Sequence, residues 1–229
     1  MTPLQKQTAQ AIVSVFETGS ASGDYSCVSL IEGDSGHLSY GRAQISLTSG
    51  NLGLLVTEYC AAPGAVQAAA LRPFIPRLQA HDIRLDDSQS LRSALVLAGA
   101  DPVMRNLQDR SFDRLFWEPA LRMAASAYLQ LPLGVALVYD SCIQGGFASL
   151  RNSITARYGR PPAIREECWL EFYAKARHRW LSNSHAPLPS TVYRMDTFLD
   201  LIAKGNWQLN LPITVRGVTI EAEALDKAA

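Results

Sequence analysis

The 229-residue sequence has no excess of charge of either sign, with 21 Lys plus Arg against 21 Asp plus Glu. A net charge of zero supplies no long-range field to gather nucleic acid or an anionic membrane, so neither is expected as a partner. Cysteine is sparse. Cys27, Cys60, Cys142 and Cys168 form no CxxC pair, which excludes the usual zinc and dithiol motifs. Four cysteines in a chain this long are not a disulfide framework either. They read as thiols, with at most one bridge left open. No second His or Cys stands at ligand spacing from His37, so no catalytic metal and no other cofactor is expected. The opening MTPLQKQTAQAIVSVFE lacks the basic start and unbroken apolar stretch of a secretory signal. The longest apolar run, Leu131 to Tyr139, is interrupted by Pro132 and too short to span a bilayer. Internal repeats and low-complexity segments are absent.

What is present suits an ordinary globular protein: 48% hydrophobic and 18% charged residues, enough to bury the core of one large domain or two close-packed lobes. Thr2-Pro3 opens a helix with a capping hydroxyl and a proline at its first position. Leu4, Thr8, Ala11, Ile12, Val15 and Phe16 then recur at helical spacing up to an end between Glu17 and Gly19. Residues 25 to 45 read as a small hairpin or irregular β unit, with a turn at Gly33-Asp34-Ser35-Gly36. The rest reads as largely helical: a segment from Leu52, then 64–80, 88–98, 101–109, 112–130, 133–144, 147–157, 163–182 and 191–204. Pro102, Pro119 and Pro161-Pro162 punctuate them. A short extended run covers Ile213 to Ile220.

Two carboxylates stand out. Glu17 ends an amphipathic helix beside Phe16, and Asp34 sits in a glycine-flanked turn. Acid-assisted glycoside hydrolysis needs such a pair. One carboxyl protonates the leaving oxygen and the other activates water, with roughly 6.5–9.5 Å between them in an inverting enzyme. Glu32, two residues from Asp34, is the rival for the second role. His37 reads as an exposed loop residue. Tyr40, Trp117 and Trp207 are candidates to stack on sugar rings, Tyr40 foremost because it neighbours the pair. Arg42 and Asn51 are further candidates for substrate contact.

Phe16-Glu17-Thr18-Gly19, Ile31-Glu32-Gly33-Asp34-Ser35-Gly36-His37-Leu38-Ser39-Tyr40-Gly41 and Thr48-Ser49-Gly50-Asn51-Leu52 together resemble the catalytic region of glycoside hydrolase family 46, the chitosanases. The resemblance continues through Phe116-Trp117-Glu118-Pro119-Ala120, Val138-Tyr139-Asp140, Ala176-Arg177, Arg194 and Gly205-Asn206-Trp207-Gln208-Leu209-Asn210, leaving 60–110 largely unplaced. It implies a mainly α fold with a small β element: a single lysozyme-like hydrolase domain, 1–229, of two lobes flanking a cleft. It also implies that Glu17 is the general acid and Asp34 the general base, that Ser39 helps hold the attacking water, and that Asp140, Arg177 and Arg194 form an ion network supporting the acid.

Departures from the family bear on substrate. An acid that helps the family bind its polycation is Asn51 here, and 182–189 has no acid. A neutral amide with serines suits an N-acetylated sugar, so the sequence points first to peptidoglycan, as a muramidase-type lysin or antibacterial effector. Chitosan is the alternative substrate, and a non-catalytic wall-binding module is the alternative class. A transglycosylase, which needs only the acid, stays open. Such an enzyme is expected to be made in the cytoplasm and to act outside it, reaching the wall by a signal-independent route or by lysis. If it is an effector, an immunity protein would be its partner.

Overall fold

The computed structural model describes residues 1–31, 33–186 and 188–226; Glu32, the rival carboxylate, lies outside them. Helix α1 runs Pro3–Thr18. The Thr2 hydroxyl accepts from the Gln5 amide while the Gln5 side chain accepts from the Thr2 amide, closing a capping box ahead of Pro3. The helix stops at Gly19, whose N–H bonds the Val15 carbonyl. The β unit expected at 25–45 is a three-stranded antiparallel sheet of two-residue strands, β1 Val28–Ser29, β2 Ser39–Tyr40 and β3 Ile45–Ser46, in that order. Ser29 pairs with Ser39 and Tyr40 with Ile45.

Helix α2 is Asn51–Ala61. The single helix expected over 64–80 is broken into α3 Ala68–Leu71, a 3₁₀ turn Arg72–Phe74 and α4 Ile75–Gln79. Pro73 and Pro76 each lack the amide that a continuous helix needs there. After a 3₁₀ turn Ile83–Asp87 come α5 Gln89–Ala98 and α6 Pro102–Phe112. A π-helical turn, Asp113–Trp117, joins α6 directly to α7 Glu118–Ser126, where separate helices were expected over 101–109 and 112–130. Then follow α8 Pro132–Gln144, α9 Phe147–Tyr158, α10 Glu166–Ser182, a 3₁₀ turn Leu188–Thr191 and α11 Tyr193–Ala203. The extended run is a hairpin, β4 Ile213–Val215 and β5 Val218–Ile220, before α12 Ala222–Asp226. Its two-residue turn, Arg216-Gly217, has positive φ at both positions, the twist that tight hairpins favour.

The chain divides into two compact units. One is continuous, Gly23–Leu115; the other combines Met1–Ser22 with Phe116–Ala229. In the first, α2 is covered by α3, α4, α6 and β3, and Leu38, Tyr40, Leu47, Leu52, Leu55, Tyr59, Leu78, Leu95 and Met104 form its core. Gly41 is required here, because a side-chain carbon at that position would lie 2.1 Å from the Gln108 amide oxygen and φ is +75°. In the second, α8 is buried on every side from Pro132 to Ser141 and packs on α1, α7 and α9. A helix that is apolar all round belongs at the centre of its layer. Helix α1 also meets β4, β5 and α12. All four cysteines are free thiols. No helix among the described residues is long and apolar enough to cross a membrane.

Candidate active site

In the discontinuous unit, Glu17 lies in the last turn of α1, its side chain 45% exposed. The Phe16 ring beside it is buried and meets Tyr193 and Phe198 edge-on at 5.9 and 5.8 Å. The Tyr193 hydroxyl donates to the Phe16 carbonyl at 3.0 Å, fixing the end of the helix against α11. Arg194, the next residue on α11, stretches its guanidinium over the Phe16 ring, 5.2 Å from the centroid. One nitrogen of that guanidinium donates to Glu17 Oε1 and the other to Asp140 Oδ1 at 2.7 Å. Asp140 is fully buried on α8. Burial pushes its carboxyl above the ordinary carboxylate range, against the pull of the Arg194 and Arg177 charges. Arg177, fully buried on α10, is held by the Gly145 carbonyl at 2.7 Å and by Gln144. Burial works against the charge on Arg194, but Asp140 and Glu17 outweigh it and hold the guanidinium above its usual value. The carboxylate at 17 is thereby fixed in one position by a cation that is itself anchored in the core.

In the continuous unit, Asp34 sits in the turn between β1 and β2. Its amide donates to the Ile31 carbonyl at 3.0 Å and its Oδ1 accepts from the Gly36 amide at 3.1 Å, an Asx turn that leaves the carboxylate exposed. It lines a depression of about 470 Å³ shared with Ser29, Ser39, Gln44, Ser46 and Thr48, a wall of hydroxyls and one amide. Ser39 is nearly buried, with its Oγ donating to the His37 carbonyl at 3.3 Å. A second depression, of about 480 Å³, has Asp34, Leu30, Ile31, His37 and Asp86 in its wall.

Glu17, Asp140, Arg177 and Arg194 thus come together in one unit, and Asp34 and Ser39 in the other. Asn51 is the first residue of α2, partly exposed, its amide near the Ser49 hydroxyl at 3.3 Å. The expectations for Tyr40, Arg42, Trp117 and His37 need correcting. Tyr40 has no exposed surface: its ring fills the core opposite Ile45, and burial drives its phenol far above the ordinary range, so it presents no face to a sugar. Arg42 is spent inside its unit. Its guanidinium pairs with Asp109 at 2.7 Å and with the Tyr25 hydroxyl at 3.0 Å, and stacks on both Tyr25 and Phe112. Trp117, also considered for stacking, is buried against Tyr139 at 5.1 Å. The sequence reading missed one pair. His37 is not a free loop residue, because its Nδ1 lies 2.6 Å from Asp86 Oδ2. Asp86 falls in the stretch that the resemblance left unplaced, 49 residues downstream, so no local pattern joins the two.

Comparison with known proteins gives this geometry a context. The profile of glycosyl hydrolase family 46 matches residues 11–213, which takes in every residue of both clusters. A chitosanase of Bacillus subtilis strain 168 is 28% identical, over 93% of this chain and 82% of that protein. The family 46 chitosanase of Gynuella sunshinyii, solved with chitotetraose, is similar with a TM-score of 0.75 and 26% identity, over 96% of this chain and 98% of its own. The native chitosanase of Bacillus subtilis MY002 is similar with a TM-score of 0.76 and 25% identity, over 96% of this chain and all of its own. The mainly α fold with its small β element is the fold of these enzymes. This chain belongs to glycosyl hydrolase family 46 and is a glycoside hydrolase.

Proposed function

We propose that the protein hydrolyses the β-1,4 bonds of chitosan from within the chain, with inversion, and that 1–229 acts as one hydrolase domain. The observation that carries the substrate is the set of relatives: proteins similar to this chain over nearly all of its length are chitosanases, one of them with chitotetraose bound. Glu17 protonates the leaving oxygen, and Asp34 takes the proton from the attacking water, with Ser39 beside it to hold that water. Two features support these roles. Glu17 is held by a buried arginine, and Asp34 is exposed among hydroxyls. Proton transfer by positioned groups is worth roughly 10²–10⁴ in rate. A polymer of this kind is met outside the cytoplasm, and that is where the enzyme would act.

Peptidoglycan, the first choice from sequence, stays as the second reading for one reason. A depression of about 810 Å³ in the discontinuous unit is lined by Arg179, Trp180, Asn183, Ser184 and His185, with no carboxylate among the described residues of its wall. That lining favours a neutral or anionic sugar over an ammonium group. The test is reducing-end release from chitosan and peptidoglycan side by side, with the anomeric form of the product read by NMR. Release from chitosan as the inverted anomer is expected, falling roughly a hundredfold or more in Glu17→Gln and in Asp34→Asn. Release from peptidoglycan alone would overturn the substrate. Full activity of Asp34→Asn would overturn its role as base.

A further inference from the structure

The pair His37–Asp86 is used by none of the roles above, yet it stands in the wall that Asp34 shares. His37 has positive φ, 56°, so its backbone is set in a conformation few side chains choose. Asp86 grips that turn at two points: Oδ2 meets His37 Nδ1 at 2.6 Å and Oδ1 accepts from the Leu38 amide at 2.9 Å. A carboxylate only accepts, so the ring nitrogen facing it is the one that carries hydrogen. In the neutral ring the other nitrogen, Nε2, is a lone-pair acceptor, and among the described residues the ring's hydrogen bond is the one that Nδ1 makes with Asp86. The ring is 32% exposed and lines both depressions. Among the described residues, the charged side chains in those two walls are Asp34 and Asp86, with no Lys or Arg in either lining. Arg92 approaches from α5 but is bonded to the Asp86 carbonyl.

We infer that His37, oriented by Asp86, is a substrate-binding residue of this site, its Nε2 accepting a hydrogen bond from the ammonium group of a glucosamine unit. The inference rests on the chitosan reading. An imidazole backed by a carboxylate is a stronger acceptor than a lone imidazole, and a donor that carries positive charge gains most from the two carboxylates nearby. The pair thus supplies, through Asp86, negative charge to the wall that it shares with Asp34.

Two substitutions separate binding from a mere staple. His37→Asn puts an amide N–H close to the place of Nδ1, tolerates the positive φ and keeps the bond to Asp86, but removes the acceptor. His37→Gln reaches the place of Nε2 and loses the staple. Each is made in the Glu17→Gln background and titrated calorimetrically with chitotetraose and with its fully N-acetylated counterpart, alongside thermal melts. The affinity for chitotetraose should fall roughly tenfold or more in His37→Asn, the scale of a hydrogen bond to a charged group. His37→Gln should bind more tightly than His37→Asn while melting lower, so that affinity and stability rank the two variants in opposite order. The acetylated sugar should lose less than the free amine. Unchanged affinity in His37→Asn, or affinity and stability ranking alike, would make the pair a staple only. Equal losses for both sugars would overturn the ammonium. If the Glu17→Gln protein with His37 intact binds no chitotetraose, the substrate reading and this inference fail together.

Discussion

Arg194 is worth much more to the fold than the carboxylate it presents. Its side chain and that of Asp140 are 4% and 0% exposed, whereas Glu17 is 45% exposed. Removing one partner of a buried ion pair strands the other, at a cost of about 3–5 kcal/mol. A half-exposed pair, screened by water, is worth about 1 kcal/mol or less. Urea unfolding should therefore show Arg194→Met strongly destabilised, with turnover lost as well, and Glu17→Gln within about 1 kcal/mol of wild type. Comparable losses from both would mean that the burial of Asp140 is not what gives Arg194 its weight. Glu17, Asp140, Arg177 and Arg194 were legible in the sequence because each sits in a stretch resembling the family. Tyr40 and Arg42 misled for a physical reason. Two-residue strands are too short for alternation to tell the inner face from the outer, and nothing local announces that Asp109 waits for Arg42 67 residues later.

At the scale of the element, the caps were easy to read and the breaks were not. Thr2-Pro3 starts α1 as expected, and Asp101-Pro102 starts α6 in the same manner. Asp101 does more than cap. Its Oδ1 accepts from the Val103 amide at 2.9 Å, while Oδ2 accepts from the Tyr59 hydroxyl at 2.6 Å and the Val66 amide at 2.9 Å. It ties α6 to α2 and to the segment before α3. Burial alone would raise its carboxyl, but the bonds from Tyr59, Val66 and Val103 outweigh burial and hold it below the ordinary value. The Tyr59 phenol is pushed up to about 12, by burial first and then by this bond. A carboxyl depressed in the folded state contributes stability that is present above its unfolded pKa, about 3.9, and is lost as pH falls through the folded value. Wild type should lose stability on acidification below about pH 4. Asp101→Asn should start lower, by about 1–3 kcal/mol, and show less of this acid-dependent loss. Parallel melting curves across that range would remove Asp101 from the account. The join of α6 to α7 through a π turn was illegible, since Pro119 signals only that an amide is missing and not how the backbone absorbs the loss.

For the whole molecule, helical periodicity and the order of motifs disclosed the class of fold, but not its division. That Met1–Ser22 joins Phe116–Ala229 depends on contacts between distant segments, which no window of sequence contains. Helix α1 buries Ile12, Val13, Val15 and Phe16 with three smaller residues. At about 1.5–3 kcal/mol for each of those four large side chains, its removal forfeits about 6–12 kcal/mol, as much as a typical domain has in total. A chain beginning at Gly23 should lose the near-ultraviolet circular dichroism of the discontinuous unit and its cooperative melting. Retention of both would show that the remaining helices close without it.

The ion pair that anchors Glu17 has a consequence in time as well as in space. Arg194 follows Glu17 by 177 residues, and α1 also packs on β4, β5 and α12, all of which are translated after Arg194. The first helix is therefore translated long before it has anything to close upon, while Gly23–Leu115 emerges as one uninterrupted stretch able to collapse early. The nascent chain thus holds Glu17 unanchored until Arg194 has been made and α11 has folded back upon α1.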